Sequence, residues 1–275
     1  MDLSKPFDFT GRVAVVIGGS GVICSTLAKA LGQQGAAVAV VAHSQVAKAE
    51  AVAAHIRTQG GRARAMQADV LDKDSLAALA RQVLDEYGRV DILINGAGGA
   101  KKEATTSPTL PFFDLPTEAV RWVFDLNLLG TFLPCQIFAR PMVEQNSGCI
   151  LNIGSMGAYR PLTRSPAYSA GKAAVINFTQ WLAVHLSQEY SPHIRVNALV
   201  PGFFLTEQNR FLLYDQQTGE PTERLQRIVS HTPMARLGDP QDLVGPALFL
   251  LSDAAGFVHG TTLIVDGGIG AFGGV

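Results

Sequence analysis

The sequence predicts an α/β protein: one domain over residues 1–275, built as a doubly wound parallel sheet of about seven strands with helices on both faces. Three observations predict it. Short apolar runs alternate with longer amphipathic stretches from Val13 onward, the runs lack clean polar alternation, and a glycine cluster stands between the first run and the first amphipathic stretch. Strands of that kind, each followed by a helix, imply a parallel sheet covered on both sides. Right-handed crossovers then wind it in two directions from the middle.

The elements follow in order. "VAVVI" (13–17) reads as a buried strand and "STLAKALGQQG" (25–35) as a helix closing at Gly35. "AVAVVA" (37–42) is the second strand, followed by the alanine-rich helix "QVAKAEAVAAHIRTQGG" with its glycine stop. "ARAMQA" (63–68), the helix "KDSLAALARQVLDEYG" and "VDILIN" (90–95) continue the series. Later strands are "CILNIG" (149–154), "IRVNALV" (194–200) and "TTLIVD" (261–266), with helices around 118–145, 166–190 and 240–252. Residues 203–238 break the rhythm with a long mixed stretch containing Gly-Glu-Pro. Long excursions in compact domains are often lids or binding segments, so substrate selection is placed there; a surface insertion is the competing reading.

Hydrophobic residues make up 47% and charged residues 16%, and the net charge is −1 with no long run of one sign. That excludes functions resting on a basic field, so neither nucleic acid nor a membrane surface is expected as partner. Cys24, Cys135 and Cys149 are far apart, odd in number and without metal-ligand spacing. They read as reduced core thiols of a soluble cytoplasmic protein, with no metal expected. The start "MDLSKPFDFTG" has no apolar signal core, and no run reaches the roughly 18 uninterrupted apolar residues of a membrane span.

The cluster "IGGSGVIC" (17–24) follows the first strand and opens the first helix. That position puts Gly18, Gly19, Ser20, Val22 and Ile23 where backbone N–H groups and a helix N-terminus meet a pyrophosphate. A turn that binds nothing is the alternative. Strand two ends in Ala42, His43 and Ser44, where dinucleotide sites for NAD carry an acid on the ribose. No carboxylate would repel a 2′-phosphate there, and His43 and Ser44 can donate to one, which favours NADP(H) over NAD(H). In "SPAYSAGKAAV", Tyr168 and Lys172 lie one turn apart on the same helical face. Spacing alone does not distinguish an acid–base pair from an ordinary helical turn.

The order of motifs does distinguish them. A glycine turn, "ADV" (68–70), "NGAG" (95–98), "DLNLLGTF" (125–132), "NIGS" (152–155), Tyr168-x-x-x-Lys172 and "PGFFLT" (201–206) together resemble the short-chain dehydrogenase/reductase family, a Rossmann-type fold, over nearly the whole chain. The resemblance implies a catalytic tetrad of Asn127, Ser155, Tyr168 and Lys172, with Ser155 preceding Tyr168 by 13 residues as in the family. It implies Asp69 and Val70 along the adenine, and Asn95, Gly96, Ala97 and Gly98 supporting the central strand and meeting the ribose. Pro201, Gly202, Phe204 and Thr206 would border the nicotinamide. Tyr168 would act as general acid/base, with Lys172 lowering its pKa and also reaching the nicotinamide ribose. Ser155 would hold the substrate oxygen, and Asn127 would position a water for proton relay. A homotetramer packed through the helices around 118–145 and 166–190 is implied as well. The chain departs from the family at Ile17, where a threonine is usual, and at Val22 and Cys24, which replace glycines.

A closer likeness lies in "GVIC", "FDLNLLGTFLP", "YRPLTRSPAYS", "NFTQWLAVH", "PGFFLTEQNRFLL" and "HTPMARLG", which are similar to the D-mannonate oxidoreductase (fructuronate reductase) group. It implies a keto-hexuronate reduced to an aldonate. A sugar acid calls for cationic and amide donors. Candidates are Arg160 and Arg164 between Ser155 and Tyr168, Gln208, Asn209 and Arg210 in the long stretch, and Lys101 and Lys102 after the fourth strand. Arg164 and Arg210 are the preferred carboxylate partners; a solvated charge or ion pair is the competing reading for each. Phe203, Phe204, Phe211, Leu212, Leu213 and Tyr214 either pack a lid or line an apolar pocket for a steroid-like or acyl substrate. Another sugar or polyol is the nearer alternative. A serine hydrolase lacks its nucleophile elbow, since Ile153 takes the first glycine's place in "IGSMG". A cofactor sensor without catalysis would not need the tetrad.

Overall fold

The structure, a computed structural model, describes residues 7–274 apart from Gln208. Among the described residues, seven strands form one sheet. They are β1 (Val13–Ile17), β2 (Ala37–Ala42), β3 (Arg62–Gln67), β4 (Ile92–Asn95), β5 (Gly148–Ile153), β6 (Ile194–Pro201) and β7 (Thr262–Val265). Every pairing is parallel and the order is β3-β2-β1-β4-β5-β6-β7. The expected α/β architecture is therefore present. The order reverses between β1 and β4, and a switch of this kind opens a crevice at the carboxyl ends of the strands.

Alternate residues of each strand feed two cores. Ala14 and Val16 face α1 (Val22–Gln33), α2 (Val46–Thr58) and α8 (Val244–Leu251), where Leu27, Leu31, Ile56 and Leu250 pack. Val13, Val15 and Ile17 face α3 (Lys73–Tyr87), α4 (Thr117–Glu144) and α5 (Pro166–Glu189), through Leu79, Phe138 and Leu182. β1 and β2 fall where expected and the other five strands shift by one or two residues. α1 starts at Val22, three residues before its expected start, because extended Gly21 ends the phosphate turn directly into the helix. β3 does alternate: Arg62 and Arg64 are exposed on this edge strand and both reach Glu86, at 3.1 and 2.8 Å. Charges on an edge discourage further strand pairing. α4 is long and apolar enough to cross a membrane by length and composition. Its apolarity has a simpler cause, since Val123, Cys135, Phe138 and Met142 are buried against the sheet and neighbouring helices.

A buried polar chain ties the layers together beneath the crevice. Asn95 Nδ2 donates to Asn152 Oδ1 at 2.9 Å and to Cys135 Sγ at 3.1 Å, and Asn152 Nδ2 donates to Thr179 Oγ1 at 2.9 Å. β4, β5, α4 and α5 are thereby held in one register. Within residues 203–238 the chain forms α6 (Arg210–Leu213) and α7 (Glu223–His231), which share a small core of Leu213, Leu225 and Ile228.

Candidate active site

β5 ends at Ile153, and two residues later Ser155 caps a short turn, its Oγ accepting from Gly157 N at 3.1 Å. α5 starts at Pro166, so Tyr168 and Lys172 fall in its first two turns. Lys172 is buried, donates from Nζ to the Ile153 carbonyl at 2.7 Å, and lies 6.0 Å from the Tyr168 ring centre. α4 supplies Asn127, fully buried one turn past Val123. Its Nδ2 donates to Gly99 O at 2.9 Å and Val123 O at 2.8 Å, and its Oδ1 accepts from Gly99 N at 3.3 Å. Those bonds clamp the loop after β4 to α4. The four tetrad positions thus meet at the carboxyl ends of β4 and β5.

The electrostatics differ from expectation. Burial pushes the Tyr168 phenol above its ordinary value of 10, and its hydrogen bond with Ser155 pulls it only part of the way back. Lys172 is not a cause of any lowering here. Burial brings its own pKa down to about 8, so it is still protonated at neutral pH but gives its proton up more readily than a solvated lysine.

Two adjoining hollows open at this point. The first, about 240 Å³, is lined by Ser155, Tyr168 and Lys172 together with Pro201, Gly202, Phe204 and Thr206. The second runs along the glycine turn past Gly18, Ser20, Val22 and Ile23 on one wall and Gly96, Ala97 and Gly98 on the other. His43 and Ser44 stand at its outer end. The residues of this cleft fit a dinucleotide. A Cβ on Gly18 would lie 2.9 Å from the Gly96 carbonyl, and one on Gly96 only 2.0 Å from Cys24 Sγ. Gly18 and Gly96 thus let the glycine turn pack close against the loop after β4, and α1 points its N-terminus into the cleft between them with no acid in its first turn.

Several expected site residues lie elsewhere. Gly19 is turned into the sheet, its N–H donating to Val41 O at 2.8 Å and its Cα against Val40. Asn95 is fully buried and supports the strand without reaching the cleft. Val70 packs beside Gly130, while Asp69 stays by the outer end of the cleft, a carboxylate oxygen 3.7 Å from His43 Nε2. Among the substrate candidates, Arg210 is exposed over the Tyr214 ring at 5.3 Å, and Arg160 donates to Gly270 O at 3.2 Å in a separate depression. Arg164 is exposed and does not line the cavity. Asn209 reaches the cavity, but its amide bonds Phe204 O at 2.7 Å and Thr206 N at 2.8 Å, bracing the loop. Gln208 lies outside the described residues. The cations that do line the cavity are Lys101, Lys102, Lys172 and Arg224. Sequence reasoning missed Arg224. The available signal was helical phase: in "TERLQRIVSH" it lies four residues before Ile228, which with Leu225 marks the buried stripe.

A family model described as enoyl-(acyl carrier protein) reductase matches residues 20–270. The chain belongs to the short-chain dehydrogenase/reductase family. It is an oxidoreductase of that family. An uncharacterized oxidoreductase, UxuB, of Bacillus subtilis is 43% identical over 98% of this chain and 98% of its own. An uncharacterized oxidoreductase of Haemophilus influenzae is 41% identical over 100% of this chain and 99% of its own. A crystal structure from Haemophilus influenza, provisionally described as a D-mannonate oxidoreductase with bound NAD, superposes with a TM-score of 0.91 at 40% identity, covering 100% of both chains. The departures from the family's glycine turn have a structural counterpart. The Cys24 side chain fills the space beneath Gly96, and burial lifts its thiol to about 12, so it packs as a small apolar group.

A lysine whose folded pKa of about 8 lies below its ordinary 10.5 binds fewer protons than the unfolded chain between those values. Its burial cost is full below pH 8 and is relieved as pH rises through that window. Urea unfolding of the wild type and Lys172→Met should show the wild type gaining relative stability from pH 8 to pH 10, by up to about 1.4 kcal/mol per pH unit. A flat or falling difference would show that Lys172 is not so perturbed.

Proposed function

We propose that this protein interconverts a ketone and a secondary alcohol on a sugar acid, most closely fructuronate and D-mannonate. One observation carries the substrate class: among the described residues that line the cavity at Tyr168, four are cationic (Lys101, Lys102, Lys172 and Arg224) and none is a carboxylate. A cavity of one charge sign attracts the opposite charge. The likeness to the Haemophilus structure with its D-mannonate description supports the same reading.

The cleft lined by Gly18, Ser20, Val22, Ile23, Gly96, Ala97 and Gly98 would hold a nicotinamide dinucleotide, which would supply or accept the hydride. The residues of the chain handle the oxygen and its proton. In reduction Tyr168 donates its phenolic proton to the carbonyl oxygen, and in oxidation it takes the alcohol proton back. A phenol held above 10 is a weak acid at neutral pH, so it stays protonated and ready to donate until charge develops on the oxygen beside it. The Ser155 hydroxyl, whose proximity lowers that phenol's pKa, holds the same oxygen. Lys172 keeps a proton at Nζ beside Ile153 O, and Asn127 fixes the Gly99 backbone that floors the cavity.

Tyr168→Phe should bind NADH as the wild type does while reduction of fructuronate falls by about a thousandfold or more. Turnover within tenfold of wild type would remove Tyr168 from the acid–base role.

The cofactor reading turns on the outer end of the cleft. Ala42 places no acid at the end of β2, which admits a 2′-phosphate. No arginine or lysine lines the cleft among the described residues, the nearby Lys48 being paired with Glu207 at 2.6 Å, and Asp69 stands beside His43. With neither a repelling acid at β2 nor a free cation, discrimination should be small. The kcat/KM values with NADH and NADPH should lie within about tenfold of each other, or ~1.4 kcal/mol. A preference of about a hundredfold either way would contradict this account of the cleft.

A further inference from the structure

Arg224 stands out within the cavity. α7 forms part of the wall and is fixed at its start by Thr222, whose Oγ1 accepts from Leu225 N at 3.3 Å and donates to Leu212 O at 2.9 Å. That cap ties α7 to α6 and sets the direction in which Arg224 leaves the helix. The guanidinium is half-buried, and among the described residues it makes no hydrogen bond and no ion pair. Its neighbours are engaged: Arg227 pairs with Glu223, and Arg236 with Asp242 at 2.6 Å. Burial and the nearby charge of Arg164 both push the Arg224 guanidinium below its ordinary pKa. A partly desolvated cation facing another cation, with no acid lining the hollow, is an incomplete ion pair. The two lysines after β4 are less constrained. Lys101 lies over the Trp122 ring at 5.0 Å and Lys102 is exposed.

We propose that Arg224 is the specificity-determining residue of the cavity: its guanidinium receives the substrate carboxylate through two parallel N–H···O bonds, with Arg164 strengthening the field behind it. The proposal rests on the sugar-acid reading above and identifies the group that enforces it. A planar fork matches a carboxylate in a way an ammonium does not. Being carried on a short helix of the 203–238 stretch, Arg224 also links carboxylate binding to the packing of that stretch over the cavity.

Calorimetric titration of the NADH-loaded enzyme with D-mannonate and with the neutral polyol mannitol tests this apart from turnover. Arg224→Gln should weaken D-mannonate binding about a hundredfold and leave mannitol binding within about threefold. Arg224→Lys should recover only part of the loss, because charge returns without the fork. NADH binding by each variant reports that it is folded. Unchanged D-mannonate affinity in Arg224→Gln would overturn the assignment, as would a wild type that binds mannitol as tightly as D-mannonate. Loss of D-mannonate binding in Arg224→Gln, with no turnover of fructuronate by the wild type, would uphold Arg224 and overturn the proposed reaction.

Discussion

The site depends on burying an amine beside a phenol that lines a cavity at the carboxyl edge of a parallel sheet. Lys172 and Tyr168 sit in the opening turns of α5, and α5 is held in place by the buried chain from Asn95 through Asn152 to Thr179. The Ile153 carbonyl that receives Lys172 Nζ lies one residue beyond Asn152 on β5. Structural and chemical bonds thus alternate along one strand. Burial then moves both groups from their ordinary values in opposite directions, the lysine down and the phenol up, as removal from water does to a base and an acid.

The same crowding explains the glycine turn. Gly18 and Gly96 approach so closely that neither tolerates a side chain, and the Cys24 thiol occupies the remaining space under Gly96. Where the family's pattern has a glycine, this chain has a small apolar thiol that packs against one. The close packing of the glycine turn against the loop after β4 is preserved, although the motif is altered.

The strands and the doubly wound parallel architecture were legible in apolar periodicity, and the meeting of Ser155, Tyr168 and Lys172 in the order of the family's motifs rather than in spacing alone. The polar half of the cavity was not. Arg210 and Arg164 were preferred for their place in the chain, yet Arg210 lies over Tyr214 and Arg164 points to solvent. Which side chain turns inward within 203–238 is decided by the phase of two short helices and by the Thr222 cap, neither of which leaves a long periodic pattern. Asn209 shows the same limit: its amide is used on the loop's own backbone at Phe204 and Thr206. The influence of Lys172 on Tyr168 was also misjudged, since adjacency was visible in the sequence and depth was not.

The most direct test of this account is the ionisation of Tyr168 itself. The phenolate ultraviolet absorbance of the free wild-type protein, less that of Tyr168→Phe, titrated with pH, isolates this one phenol. If burial governs the pair, the difference rises only above pH 10, the ordinary value. A transition well below pH 10 would mean that Lys172 controls the phenol after all, and that burial is not the constraint on which the site is built.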